Sequence, residues 1–253
     1  RVMQVGTQQR SMVNFRYACE LVRNGRIGTL RRMYVTVPPN SRPFPKDWRP
    51  KEIPENLDYD LWLGPANWQP YTTDAVHYNW HFQYNFSGGQ ICNWGAHYLD
   101  MAQWGNGSDD TGPVVVSGQG DFPTDNLFNT ASKVHVEYHY ANGVVLYCDT
   151  KDIPDGSVRF VGDDGWIYVN RSHLEASDPD VLKSVILPGE EHLYSSIDHH
   201  QNFLDSVKTR NRPAATVEIG HRSATLCHLG NIAMLRGKPL QWDPVRECFP
   251  KDD

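Results

Sequence analysis

Hydrophobic and polar positions alternate along Leu30–Val37, LRRMYVTV, in the manner of a half-buried strand. The same period of two recurs at Val114–Val116, Val134–Tyr140 and Val144–Cys148. Asn142-Gly143 between the last two is a strong signal for a hairpin turn. A second hairpin is expected from Val158–Gly162 to Trp166–Val169, turning on Asp163-Asp164-Gly165. Elsewhere the period lengthens to that of a helix. Val13, Tyr17, Leu21 and Val22 share one face, with Ser11 as a cap, an end near Asn24, and glycines at 25 and 28 for the exit. A helix from Gly89 to about Gly105 comes after a glycine pair. Two more occupy roughly 200–210 and 220–235, the last closed by Gly237 and Pro239. Val2–Gly6 reads as a short buried strand, so the chain opens with half of a βαβ unit. Pro38–Pro54 is too rich in proline for regular structure and is expected to form a long ordered loop. The sum is an α+β fold: an open, mostly antiparallel sheet with helices on one face. Tyr138, Tyr140, Val145, Tyr147 and Phe160 are expected to make part of the bare sheet face apolar. Such a face predicts a homo-oligomer.

Composition narrows the function. The chain has 253 residues with 24 basic and 30 acidic side chains, a net charge of −6, which argues against nucleic acid as a partner. No run of 18 apolar residues exists for a membrane span. No secretory leader is visible, and the cysteines Cys19, Cys92, Cys148, Cys227 and Cys248 are scattered and odd in number. Together these favour unpaired thiols in the cytoplasm. No metal site is read from the histidines. His199 and His200 are adjacent, His135 and His139 lie on a strand, and His221 and His228 are two helical turns apart. A site assembled from distant residues stays open.

The chemistry concentrates in GGQICNWGAHYLD, residues 88–100. Asn93, His97 and Asp100 recur at helical spacing and so share a face. His97 titrates near neutrality and can give or take a proton. Asn93 can orient the ring or bind a hydroxyl, and Asp100 can fix the imidazole tautomer. Just upstream, His77-Tyr78-Asn79-Trp80-His81 should form a cleft wall. Trp80 could stack on a sugar face, and His77 and His81 could bind its hydroxyls. Tyr98 joins these as a binding candidate. Cys227-His228 on one helix is the nearest approach to a thiol–imidazole pair and reads as core.

The helix GGQICNWGAHYLDMAQWG resembles the central motif of the Gfo/Idh/MocA oxidoreductases. VGTQQRS, NGRIG, LWLGPANWQPY, NFLDSVKTRNRP, GHRSATLCHLGNIA and LQWDP match in the family's order over nearly the whole chain. The resemblance implies an NAD(P)-dependent enzyme that oxidises a ring hydroxyl of a sugar or cyclitol. A Rossmann domain would precede a substrate domain with an open sheet. Residues 1–28 would then be the last strand and helix of a dinucleotide-binding domain, and 29–253 the substrate-binding and oligomerisation domain. In the family, the histidine matching His97 assists proton removal. Many members carry Asp at the place of Asn93, and an amide cannot act as a base. Gln8 and Arg10 match positions bordering the cofactor cleft, and here they should face solvent. No GxGxxG comes after a first strand, no lysine matches the family's catalytic one, and Gly118-Gln119-Gly120 has the wrong flanks. A truncated oxidoreductase that binds no dinucleotide tightly is therefore expected. Two alternatives stand beside it: a glycoside hydrolase acting on small glycosides, with Asp74 and Asp100 as the nearest carboxylates, and a non-catalytic carbohydrate-binding or oligomerisation module.

Overall fold

Alternating apolar and polar side chains set the strands, and the sheet they form has two unlike faces. The computed structural model describes residues 1–40, 42–45 and 48–250. Helix α1 is Val13–Arg23, β1 Leu30–Val37, α2 Tyr59–Leu63 and α3 Gln90–Gly105. Strands β2 Val115–Asp121, β3 Lys133–His139, β4 Val145–Thr150, β5 Ser157–Gly162, β6 Trp166–Val169 and β7 Leu174–Ala176 come next. Helices α4 His199–Thr209 and α5 Val217–Arg236 and strand β8 Leu240–Gln241 end the order. Short 3-10 turns occupy Gln8–Ser11, His77–Phe82 and Pro179–Lys183. The described part of the proline-rich segment contains no helix or strand, while Ser41, Lys46 and Asp47 lie outside the described residues.

The eight strands of the described residues join one sheet in the order β7-β6-β5-β1-β4-β3-β2-β8. Every pairing is antiparallel except β1 with β4. Met33 stands beside Leu146 on one side and Phe160 on the other, and all three are fully buried. Helix α3 crosses β1 and β5, α5 covers β2 and β3, and the two helices pack against each other. Gly230 of α5 allows this approach, since a Cβ there would meet the Tyr138 hydroxyl at 2.5 Å.

The opposite face carries Tyr34 stacked on Tyr147 at 5.2 Å between centroids, and Arg159 over Trp166 at 3.9 Å. The expected content of that face needs correction. Tyr138, Tyr140 and Phe160 are buried beneath the helices. Tyr138 donates to Leu226 O and Tyr140 to Gln103 Oε1. Only Val145 and Tyr147 of the five lie in register with the open face.

The chain start also differs from expectation. Val2–Gly6 forms no strand. Val5 N donates to Ala215 O, and no sheet neighbour lies beside the segment among the described residues. Met12, not Ser11, precedes α1 as its cap residue. Phe15, Ala18, Cys19, Leu21, Val22 and Ile27 enter the same core as the sheet, so residues 13–28 pack as one body with the strands and helices downstream.

Candidate active site

Helix α3 begins where a side chain could not. Gly89 has φ +74°, and a Cβ there would meet Thr130 Oγ1 at 2.6 Å. Its N–H donates to His81 O, which ties the 77–82 turn to the start of the helix. Gln90 then donates to Pro39 O at 2.6 Å and anchors the proline-rich segment. Asn93 is half-buried and its amide donates to Gln90 Oε1 at 3.2 Å.

His97 lies one turn further on, half-buried, with its Nδ1 enclosed and unpartnered. Burial lowers its pKa to about 4, helped by the charge of Arg171 and opposed by Asp155. The ring is thus neutral at pH 7. Arg171, in the turn between β6 and β7, lies over Trp94 at 4.7 Å. Asp155, between β4 and β5, accepts from Tyr98 at 2.7 Å. Arg171 and Asp155 are thus the charged groups that act on the imidazole. Sequence reasoning passes over both, because each becomes a neighbour of His97 only through the fold.

Two of the candidate residues in the 88–100 run turn inward. Tyr98 is fully buried, with its hydroxyl committed to Asp155, so it is not free to bind a substrate. Asp100 is fully buried against Arg10, with Nε–Oδ2 and Nη2–Oδ1 both at 2.8 Å. Ser223 adds a hydrogen bond to it at 2.7 Å. Burial raises the Asp100 carboxyl, and Arg10 pulls it back. Asp100 neither orients His97 nor offers a general acid to a cleft, which also removes it from the carboxylate pair considered for direct glycoside hydrolysis. Arg10 does not face solvent. It is 2% exposed, bridges Asp100 and Asp109, and lies over Trp104 at 4.9 Å. Gln8 is exposed, whereas its neighbour Gln9 is buried.

The aromatic wall is a separate feature. His77, at φ +54°, and Trp80, 45% exposed, line a cavity of about 500 Å³ with Leu57, Trp62, Tyr71 and Val76. Trp62 and Tyr71 carry no mark in the sequence beyond their place in LWLGPANWQPY. His81 does not reach this cavity's lining. It is buried edge-on to Tyr78, its Nε2 is unpartnered, and burial lowers its pKa.

A profile of the oxidoreductase family, C-terminal alpha/beta domain, matches residues 45–253. The chain belongs to the Gfo/Idh/MocA oxidoreductase family. Among solved structures it is similar to an aldose-aldose oxidoreductase from Caulobacter crescentus complexed with glycerol (13% identity, 95% of this chain and 64% of that one, TM-score 0.62). It is similar also to the WlbA dehydrogenase from Bordetella pertussis in complex with NADH and UDP-GlcNAcA (15%, 96% and 63%, TM-score 0.63). A putative myo-inositol dehydrogenase from Sinorhizobium meliloti is a third (14%, 94% and 64%, TM-score 0.57). The chain spans less than two thirds of the length of each. No curated protein matches it.

The family implies a nicotinamide dinucleotide, but the residues present do not compose its site. Arg10 is saturated by two carboxylates. Gly118 and Gly120 are ladder positions of β2 paired with β3, and among the described residues no helix begins directly after β2 to hold a pyrophosphate.

Proposed function

We propose that this chain is the substrate-binding part of an oxidoreductase acting on a ring hydroxyl of a sugar or sugar-like polyol. The observation that carries the reading is His97: a neutral imidazole on the central family helix, held clear of the Asp100–Arg10 pair. A neutral ring can accept a hydrogen bond from a hydroxyl and take up its proton. Asn93, one turn earlier, offers an amide to a neighbouring hydroxyl. Trp80 and His77 would offer a second surface in the separate aromatic cavity, where Trp80 would stack on the apolar side of a pyranose. Tyr98 and Asp100 act on the site only by holding α3 in place. The whole oxidation needs a dinucleotide half, of which residues 1–28 would be the end. This chain alone would bind a sugar but no dinucleotide tightly.

The chain would associate with its own kind through the open sheet face, which presents the Tyr34–Tyr147 stack and Arg159. Five free cysteines fit a reducing compartment such as the cytoplasm. No helix is long and apolar enough to cross a membrane among the described residues.

Calorimetric titration of the purified chain with aldoses, uronic acids and inositols tests the reading. Saturable binding is expected for at least one class, weakened on the order of tenfold in His97→Ala, the loss of one hydrogen bond at about 1.4 kcal/mol. NADH titrated into the same sample should give no micromolar isotherm. Sugar binding unchanged in both His97→Ala and Trp80→Ala would overturn the assignment.

A further inference from the structure

Two of the five thiols differ from the rest in their surroundings. Cys19 and Cys148 are sealed in the core, and burial pushes both thiols up, away from ionisation. Cys92 is only half-buried and lies in the first turn of α3, where helix N–H groups favour an anion. The exposed imidazole of His228, on α5, places Nδ1 3.9 Å from its sulfur. Asn231 Nδ2 donates to the same sulfur at 3.4 Å. Behind it lies the buried thiol of Cys227, one turn before Asn231 on α5; it donates to Ser223 O at 3.3 Å, and Cys92 together with burial holds it well above the ordinary thiol range.

These groups stand in the order a redox pair requires: a half-buried sulfur, an imidazole beside it, and a second sulfur behind. We propose that Cys92 and Cys227 form a reversible disulfide joining α3 to α5, with Cys92 as the sulfur that reacts with a hydroperoxide and His228 as its proton partner. In the first step the Cys92 thiolate attacks the terminal peroxide oxygen and the O–O bond breaks. Cys92 becomes a sulfenic acid, and the departing alkoxide takes a proton from His228 to leave as an alcohol. In the second step the Cys227 sulfur attacks the Cys92 sulfur. The S–O bond breaks, and the hydroxyl leaves as water with the Cys227 proton. Two thiols are oxidised and one hydroperoxide is reduced.

The hydrogen-bond contributions of Cys227, first, and of His228 hold the Cys92 thiol well below the ordinary thiol range, which agrees with this order of attack. The bond would also release Asn231 from Cys92. That amide holds Gly88 O at 3.0 Å, so the change would reach the glycine turn that starts α3. The proposal stands on the thiols and does not depend on the sugar reading.

The test is peptide mapping by mass spectrometry after treatment with hydrogen peroxide. The chain would carry Cys248→Ser to remove the exposed thiol. A single linked Cys92–Cys227 peptide pair, two hydrogens lighter and separated again by dithiothreitol, is expected. In Cys227→Ser, and in Cys227→Ala as a second route, dimedone should instead label a sulfenic acid on Cys92. His228→Ala should slow that labelling on the order of tenfold, through the lost thiolate fraction. Failure of Cys92 to label in a folded Cys227 variant, or oxidation of Cys19 or Cys148 ahead of the linked pair, would overturn the proposal.

Discussion

His97 and Arg10 show how the same fold treats two polar groups in opposite ways. An unfolded histidine takes up a proton near pH 6.5, but in the folded chain His97 does so only near pH 4. Between those values the unfolded state binds more protons, so stability falls as pH drops through that window. The full shift corresponds to at most about 3 kcal/mol. His81 acts in the same direction through burial, while His228, raised chiefly by Cys92, acts against them. Urea melts from pH 7 to pH 4 should therefore show a loss of stability that is smaller in His97→Gln. Arg10 is charged and buried, and its removal would strand the Asp100 carboxylate in the core. Arg10→Ala should destabilise the fold by about 3–5 kcal/mol in chemical denaturation. Arg10→Ala with Asp100→Ala should cost less than the two separate losses together. This ion pair is invisible in the sequence because its partners stand 90 positions apart and neither lies in a charge pattern.

Gly89 makes the start of α3 unusually exacting. Gly89→Ala would place a side chain at φ +74° and against Thr130, at a cost of more than about 1 kcal/mol, and should loosen Asn93 and the 77–82 turn. Hydrogen exchange at Cys92 and Asn93, both bonded to Gly89 O, should rise most. The extent of this helix can be read from the sequence, since its glycine pair and its apolar spacing agree. Both hairpins are legible for a similar reason, as their turns carry glycine where the strands reverse. The face of each strand is not legible. A shift of one residue exchanges the two faces, so the pattern alone sends Tyr138 and Phe160 to the open side when their register puts them under α5 and α3. At Val2–Gly6 the local pattern favours a strand, but a strand needs a partner edge and the fold supplies none among the described residues. In the site, the motif marks His97 and Asn93 as cleft candidates, yet it cannot tell them from Asp100 and Tyr98, whose partners Arg10 and Asp155 lie far away in the chain.

The molecule as a whole has one sheet face roofed by helices and one left bare. Association through the bare face predicts a sedimentation coefficient above that of a 28.9 kDa monomer at micromolar concentration. Tyr147→Glu with Arg159→Glu should return it to monomer, with sugar binding retained. A monomer in the unsubstituted chain would show that this face is covered in some other way. The placement of β1 has a further consequence. This strand precedes both of its neighbours, β4 and β5, by a long stretch of chain. A ribosome must therefore add β4 and β5 before the middle of the sheet can close. Until then Met33, Val35 and Val37 lack the strands that flank them, and a chaperone that shields newly made apolar stretches would find a binding site there.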